Sequence, residues 1–193
     1  RWVCGYDWKL RNVEYRMSSI SVKELSHPAG EVIKIASGKT LDLKSQGIVT
    51  MPTGSTLQVV QSSSTFARTT ISSTGSWTDT NCSISITPTS STSKVLITVC
   101  QPTRVGGSTP IRGAIRLLRD STAVWNAGDF REHVQVRNAA DEHDTILYAV
   151  QLDSPATTSA ITYKLQAILT TGTVMMMFEA SYGARIIATE IQG

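Results

Sequence analysis

The chain has 193 residues, enough for one domain with an extension or for two small modules, and it can bury a substantial core. Only 17% of the residues are charged, and the formal net charge of +3 comes from scattered lysines and arginines. Nucleic-acid binding through phosphates needs a basic stripe, which is missing. No run approaches the roughly 18 apolar residues of a membrane span, and residues 1–10 lack the apolar core of a signal peptide. The sequence therefore predicts neither a nucleic-acid partner nor membrane insertion.

Residues 1–29 are predicted to form an N-terminal anchor arm. Their apolar spacing fits a helix face, but alternation around residues 13–17 also fits a strand. So short a segment cannot bury its own aromatic side chains, and aromatic residues gain most from burial at interfaces. We expect the arm to dock on another protein, the alternative being an edge element packed on its own domain. The predicted anchor residues are Trp2, Tyr6, Trp8 and Tyr15.

Residues 30–55 contain three short alternating runs separated by Gly/Ser turns, which predicts a short repetitive β shaft. Strands of three to five residues cannot enclose a core alone, and such repeats become stable by stacking or by association. One hypothesis is that three chains wind together around a shared axis; the alternative is a meander lying on the main domain. The apolar residues that would face the axis are Val32, Leu41, Leu43, Ile48 and Met51.

Residues 56–193 are predicted to form an all-β domain. Apolar and polar residues alternate in short runs, and Ser, Thr, Pro, Gly and Asp clusters punctuate them, a pattern typical of a sandwich or a barrel. No segment of ten or more residues has a convincing helical face. The predicted strands are 57–61, 82–86, 95–99, 111–117, 146–152, 161–165, 174–178 and 186–191.

Several phrases of this domain resemble a β-sandwich module of bacteriophage virion proteins. They are LQVVQ at 57–61, SWTDT at 76–80, SISITPTSSTSKVLI at 83–97, LDSPATTSAITYKLQ at 152–166 and IATEI at 187–191. The module is common in tail and head fibres of marine and freshwater phages, including cyanophages. The resemblance covers roughly residues 56–193, and the runs at 30–55 are similar to the shaft segments that precede such modules.

This resemblance implies an antiparallel, jelly-roll-like β-sandwich, a homotrimer, and a place on the virion surface after synthesis in the cytoplasm of the host bacterium. The arm would then bind phage capsid or tail proteins, and the short chain favours a head fibre or an adaptor-bound appendage. The function expected on this basis is structural. The alternative is a module of a tail fibre that recognises a glycan on the host surface.

The sequence predicts no enzyme, no cofactor and no metal site. It contains no nucleophile elbow and no phosphate-binding loop, and nothing places two carboxylates together. The densest cluster of possible ligands, Asp-Glu-His-Asp at 141–144, could bind a divalent cation, but it reads as a charged turn. The cysteines at 82 and 100 are expected to be small buried residues in strands, which fits an intracellular folding compartment.

Two polar stretches could carry binding, since loops at the tip of a sandwich often do. One is a predicted loop at 103–110. The other supplies the candidate ligand residues Trp125, Asn126 and Asp129, an aromatic ring beside groups that could hydrogen-bond a sugar. The alternative for Trp125 is a core residue that caps one sheet, and Trp77 is expected to be a core anchor.

Overall fold

The structure is a computed structural model, and it describes residues 37–38, 51–62, 67–107, 110–125, 134–136, 142–178 and 182–193. The chain divides into two units, Arg1–Val49 and Thr50–Gly193. The predicted arm, and the predicted shaft except for residues 37–38 and 51–55, lie outside the described residues. The fold below is that of the second unit.

Eleven strands lie within the described residues, and most of them follow runs in which apolar and polar residues alternate. Their bounds are β1 Thr56–Gln61, β2 Thr69–Ile71, β3 Thr78–Ile86, β4 Lys94–Gly106, β5 Ile111–Arg119, β6 Thr122–Trp125, β7 Val134–Val136, β8 His143–Asp153, β9 Ile161–Thr171, β10 Val174–Met177 and β11 Arg185–Ile191. All eight predicted strands are confirmed.

The strands form two sheets, and every ladder between them is antiparallel. In the first sheet, the long strand β4 pairs with β8 along one edge and with β11 and then β10 along the other, while β1 and β2 extend the sheet beyond these. In the second sheet, β9 lies between β3 and β5, and β6 and β7 pair with β5. The predicted all-β sandwich is confirmed.

The core lies between the two sheets because alternate residues of each strand point inward. On β3, Cys82, Ile84 and Ile86 are buried, as the alternation predicted. The same holds for Val95, Ile97 and Val99 on β4. Tyr163, on β9, is one of the largest side chains without solvent exposure.

The sequence prediction was wrong at four places. Cys100, expected to be buried, is only half-buried on β4. Residues 103–106, predicted as loop, continue β4, because backbone pairing with β8 and β10 holds them in the sheet. The end of the 141–144 cluster, predicted as a turn, is the beginning of β8. Trp77, predicted as a core anchor, is only half-buried, and the Arg116 guanidinium lies over its ring at 4.5 Å from the centroid.

One polar contact joins the two sheets at the end of β8. The Asp153 carboxylate accepts hydrogen bonds from the Tyr163 hydroxyl, at 2.6 Å, and from the Arg119 guanidinium, at 2.7 and 2.8 Å. Tyr163 and Arg119 belong to the second sheet, on β9 and β5. Burial, together with the Asp153 carboxylate, raises the pKa of Tyr163, so its hydroxyl keeps its proton and remains a donor.

A second buried carboxylate fixes the turn between β3 and β4. Glu190, on β11, has no solvent exposure. Its oxygens accept hydrogen bonds from the Thr89 backbone amide, at 2.7 Å, from the Thr89 hydroxyl, at 2.8 Å, and from the Gln58 side-chain amide, at 2.6 Å. Burial alone would raise the pKa of Glu190, but the polar donors around it, first the Ser93 hydroxyl and then Gln58 and Thr89, outweigh burial, and the pKa lies below its usual value.

We therefore expect the sandwich to lose stability as it is acidified. A carboxyl group whose pKa is lower in the folded state stabilises the fold above its unfolded-state pKa, and this contribution disappears as the pH falls through the folded-state pKa. In the Glu190→Gln variant, the acid-induced loss should be smaller and the free energy of unfolding at pH 7 lower by about 2 kcal/mol. Urea unfolding at pH 7, 5 and 3 measures both effects. An unchanged pH dependence in the variant would contradict this assignment.

Candidate functional site

The outer surface of the first sheet carries a row of exposed apolar side chains. Ile146, Tyr148, Val150 and Leu152 alternate along β8 on the face turned away from the core, and each is between 47% and 63% exposed. We call these four residues the β8 row. Single exposed apolar residues are ordinary, but a contiguous exposed set is typical of an interaction surface.

The register of the sheet extends the β8 row across its neighbours. Leu152 lies opposite Leu96 of β4, which in turn lies opposite Thr189 of β11, and Val59 of β1 completes this line. Val59 is as exposed as the residues of the β8 row. Paired residues of antiparallel strands point to the same face, so this line crosses four strands and has apolar side chains on three of them.

The outer surface of the second sheet is different in character. Asp79 accepts a hydrogen bond from Lys164, at 2.8 Å, and one from the side-chain amide of Gln166. Gln166 in turn accepts one from Arg116, at 2.7 Å. These side chains form a polar, mutually hydrogen-bonded patch on this side of the sandwich. The apolar outer face of the first sheet is therefore a specific feature of one side.

Strand β8 also has an unpaired edge within the described part of the chain. One edge pairs with β4 from Val95 to Val105, and no described strand pairs with the other. Residues 145–152 contain neither a charged residue nor a proline. Natural proteins usually protect long exposed edges with such residues, because unpaired backbone groups and apolar side chains favour pairing with a strand of another chain. This strand is thus well suited to association.

A cleft of about 390 Å³ lies near the beginning of β8, and a network of charges forms one wall. Arg104 of β4 donates to both oxygens of Asp144, at 2.6 and 2.8 Å, and to Glu142 at 2.6 Å. The hydrogen bonds from Arg104 hold the pKa of Asp144 below its usual value, so this carboxylate is ionised at neutral pH. Arg68, on the lining, is exposed and makes no ion pair with a described residue.

Two aromatic rings form another part of this cleft. The rings of Phe178 and Tyr182 are stacked with centroids 5.0 Å apart, and the Arg104 guanidinium lies 5.7 Å from the Phe178 centroid. The Phe178 backbone is fixed on both sides: its amide donates to the Pro102 carbonyl at 3.0 Å, and its carbonyl accepts from the side chain of the buried Gln101 at 2.9 Å. Tyr182 is 64% exposed. The cleft thus has a positioned ring and an accessible one.

The structure describes only some of the residues that the sequence predicted as sites. Of the predicted axis residues, only Met51 is described, and it is exposed; the predicted anchor residues lie outside the described residues. Nearby, Gly54 and Ser55 exchange backbone hydrogen bonds with Gln192, both at 2.8 Å, so the end of the predicted shaft contacts the end of the sandwich domain.

The predicted ligand group at 125–129 is described only in part. Trp125 is half-buried and packs against the core, while Asn126 and Asp129 lie outside the described residues. In the 141–144 cluster, Glu142 and Asp144 both form ion pairs with Arg104. Within the described residues, no group of three His, Cys, Asp or Glu side chains is placed to hold a metal ion. The described segments likewise contain no helix able to span a membrane.

Sequence reasoning did not identify the β8 row or the cleft as sites. The row has a visible signal, since residues 146–152 are more continuously apolar than a half-exposed strand requires. The cleft has none, because its lining residues are far apart in the sequence. They meet only through the pairing of β4 with β8 and β10, and of β10 with β2, which follows Arg68.

No protein-family model and no curated protein sequence matches the chain. Its structural neighbours include viral capsid proteins. The VP2 subviral particle of infectious bursal disease virus aligns with 80% of this chain and 42% of its own, at a TM-score of 0.39 and 9% identity. The T=1 particle of the same virus aligns with 80% of this chain and 40% of its own, at a TM-score of 0.41 and 8% identity. The chain thus spans about two fifths of these proteins, and at such TM-scores the similarity carries no functional argument.

Proposed function

We propose that this protein is a structural component of a bacteriophage particle, a short homotrimeric fibre or decoration appendage attached by its N-terminal arm. The observation that carries the proposal is the apolar outer face of the first sheet, centred on the β8 row. The sequence phrases that resemble phage fibre modules support the same role. The role requires assembly and no catalysis.

The physical mechanism is burial of equivalent apolar surfaces among identical chains. A closed ring of three copies removes the apolar faces from water and leaves no strand edge open to further addition. The β8 row supplies such a surface on every copy, and the predicted shaft axis would add a second one. Polar groups on the second sheet, such as Asp79 and Lys164, would remain in contact with solvent.

The oligomeric state of the full chain tests this proposal. Multi-angle light scattering at micromolar concentration should give a mass of three chains, and sedimentation should show no monomer–trimer exchange on dilution to about 1 μM. A single species with the mass of one chain would overturn the proposal.

The anchor prediction is tested separately by deleting residues 1–29. We expect the truncated protein to remain folded, because the sandwich has its own core, and to be absent from purified virions of the parent phage. Circular dichroism checks the fold, and quantitative mass spectrometry of the particles measures incorporation. Incorporation at the level of the intact chain would show that attachment uses another part of the protein.

A further inference from the structure

The cleft beside β8 combines two chemistries that a purely structural role does not require. An exposed ring, Tyr182, stacks on the fixed ring of Phe178, so an aromatic surface is presented in a concave place. The C–H groups on one face of a sugar ring carry partial positive charge and pack well on the negative face of an aromatic ring. Ligand sites typically pair such an apolar surface with a few well-placed polar groups.

The polar groups of the cleft can exchange hydrogen bonds in both directions. Asp144 is ionised and remains able to accept, since each carboxylate oxygen has a lone pair beyond the one used by Arg104. The Thr145 hydroxyl on the lining can donate or accept. Sugar hydroxyls also do both, whereas the oxygens of a phosphate mainly accept and would give the acceptor Asp144 no donor. This favours a saccharide over a phosphorylated ligand.

The charge of the lining indicates which saccharide. It contains two arginines and one aspartate, and Glu142 pairs with Arg104 just beyond the lining, so these four charges sum to zero and the arginine left without a counter-charge among them is Arg68. Arg104 is committed to Asp144 and Glu142, whereas Arg68 has no ion pair with a described residue. A guanidinium forms its best contacts with a carboxylate, through two parallel hydrogen bonds.

We propose that this cleft binds an acidic saccharide, with the sugar face stacked on Tyr182 and its carboxylate held by Arg68. Asp144 accepts from the hydroxyls, and Arg104 is a positioning residue that orients Asp144. The site adds recognition to the assembly role and lies on each chain separately. It adjoins the β8 row at Ile146, but the four residues given a role in binding all lie outside that row.

Calorimetric titration of the full chain with tri-galacturonate and with sialyl-lactose tests the proposal, and maltotriose is the uncharged comparator. At least one acidic saccharide should bind with a dissociation constant in the millimolar range or tighter, and at least tenfold more tightly than maltotriose. Binding of neither acidic saccharide at millimolar concentration would overturn the proposal. Equal binding of maltotriose, or displacement by equimolar inorganic phosphate, would overturn it as well.

Variants locate the site. Tyr182→Ala should weaken binding at least fivefold, and Tyr182→Phe should retain it because the ring remains. Arg68→Ala should remove the preference for the acidic saccharide. Lys94→Ala, which removes one positive charge at the other end of β4, is the matched control and should bind as the wild type does. Unchanged binding in both Tyr182→Ala and Arg68→Ala would overturn the assignment.

A monomeric variant separates this proposal from the proposed function. The same titration with Val150→Asp should give an unchanged dissociation constant per chain, since Val150 does not line the cleft. A chain that is monomeric yet binds the saccharide would contradict only the assembly role. A trimer that binds neither acidic saccharide would contradict only the cleft.

Discussion

Val150→Asp is expected to convert the assembled protein into monomers. Val150 lies in the middle of the β8 row and is 60% exposed in the single chain, so the substitution should leave the sandwich folded. In the proposed assembly, however, the new carboxylate would be buried against another copy without a partner. Leaving one buried charge unpaired costs several kcal/mol, so the dissociation constant should rise by a factor of about 100 or more. Sedimentation at several concentrations measures it.

The matched control places the same charge on the other sheet. Ser83 is exposed on β3, and its register partner is Lys164, so Ser83→Asp adds a carboxylate beside an existing cation. We expect this variant to assemble as the wild type does. If Val150→Asp and Ser83→Asp both assemble normally, the outer face of the first sheet is not the interface.

Asp153→Asn is expected to lower the free energy of unfolding by about 3 kcal/mol, the largest effect of any single polar substitution described here. The Asn side chain cannot accept hydrogen bonds from both Tyr163 and Arg119 as the carboxylate does, because its NH₂ group would face the guanidinium. The Arg119 charge, whose side chain is 25% exposed, would lose its partner. Urea unfolding followed by circular dichroism gives the value.

Two further variants test whether the loss of stability comes from this contact between the sheets or simply from removing a charge. Tyr163→Phe removes one hydrogen bond and keeps the ion pair, so it should cost about 1 kcal/mol, and the double variant should show coupling between the two positions. Asp144→Asn makes the same chemical change in the solvent-exposed pair with Arg104 and should not measurably alter stability. Equal effects of Asp153→Asn and Asp144→Asn would contradict the role assigned to the contact between the sheets.

The strands were predictable because their side chains alternate. Cys82, Ile84 and Ile86 indicate one buried face, and the two serines between them indicate the exposed face. Strands β2, β6 and β7 were not predicted: with three or four residues each, they have too few alternations to stand out, and pairing with a longer neighbour holds them in place. The same reason explains why residues 103–106 belong to β4 although the Gly and Ser that follow suggest a loop.

The candidate sites, unlike the strands, could hardly be predicted from the sequence. From the sequence, residues 141–144 were interpreted as a charged turn, and the partner of their carboxylates could not be identified. The counter-charge comes from Arg104, about forty positions away, because the register places Arg104 directly opposite Asp144. The sequence also left core and ligand site open for Trp125 and wrongly placed Trp77 in the core, because an aromatic residue at or beside the end of a strand fits both core and surface.

By itself, the sequence determined that the chain from residue 56 onward folds into antiparallel strands around one apolar core, since a period of two requires only local information. The tertiary structure decided which strands became neighbours, and therefore which outer face is apolar and which charges are paired. Those properties depend on register between segments far apart in the chain. Register is fixed jointly by the packing of both sheets, and no single segment encodes it.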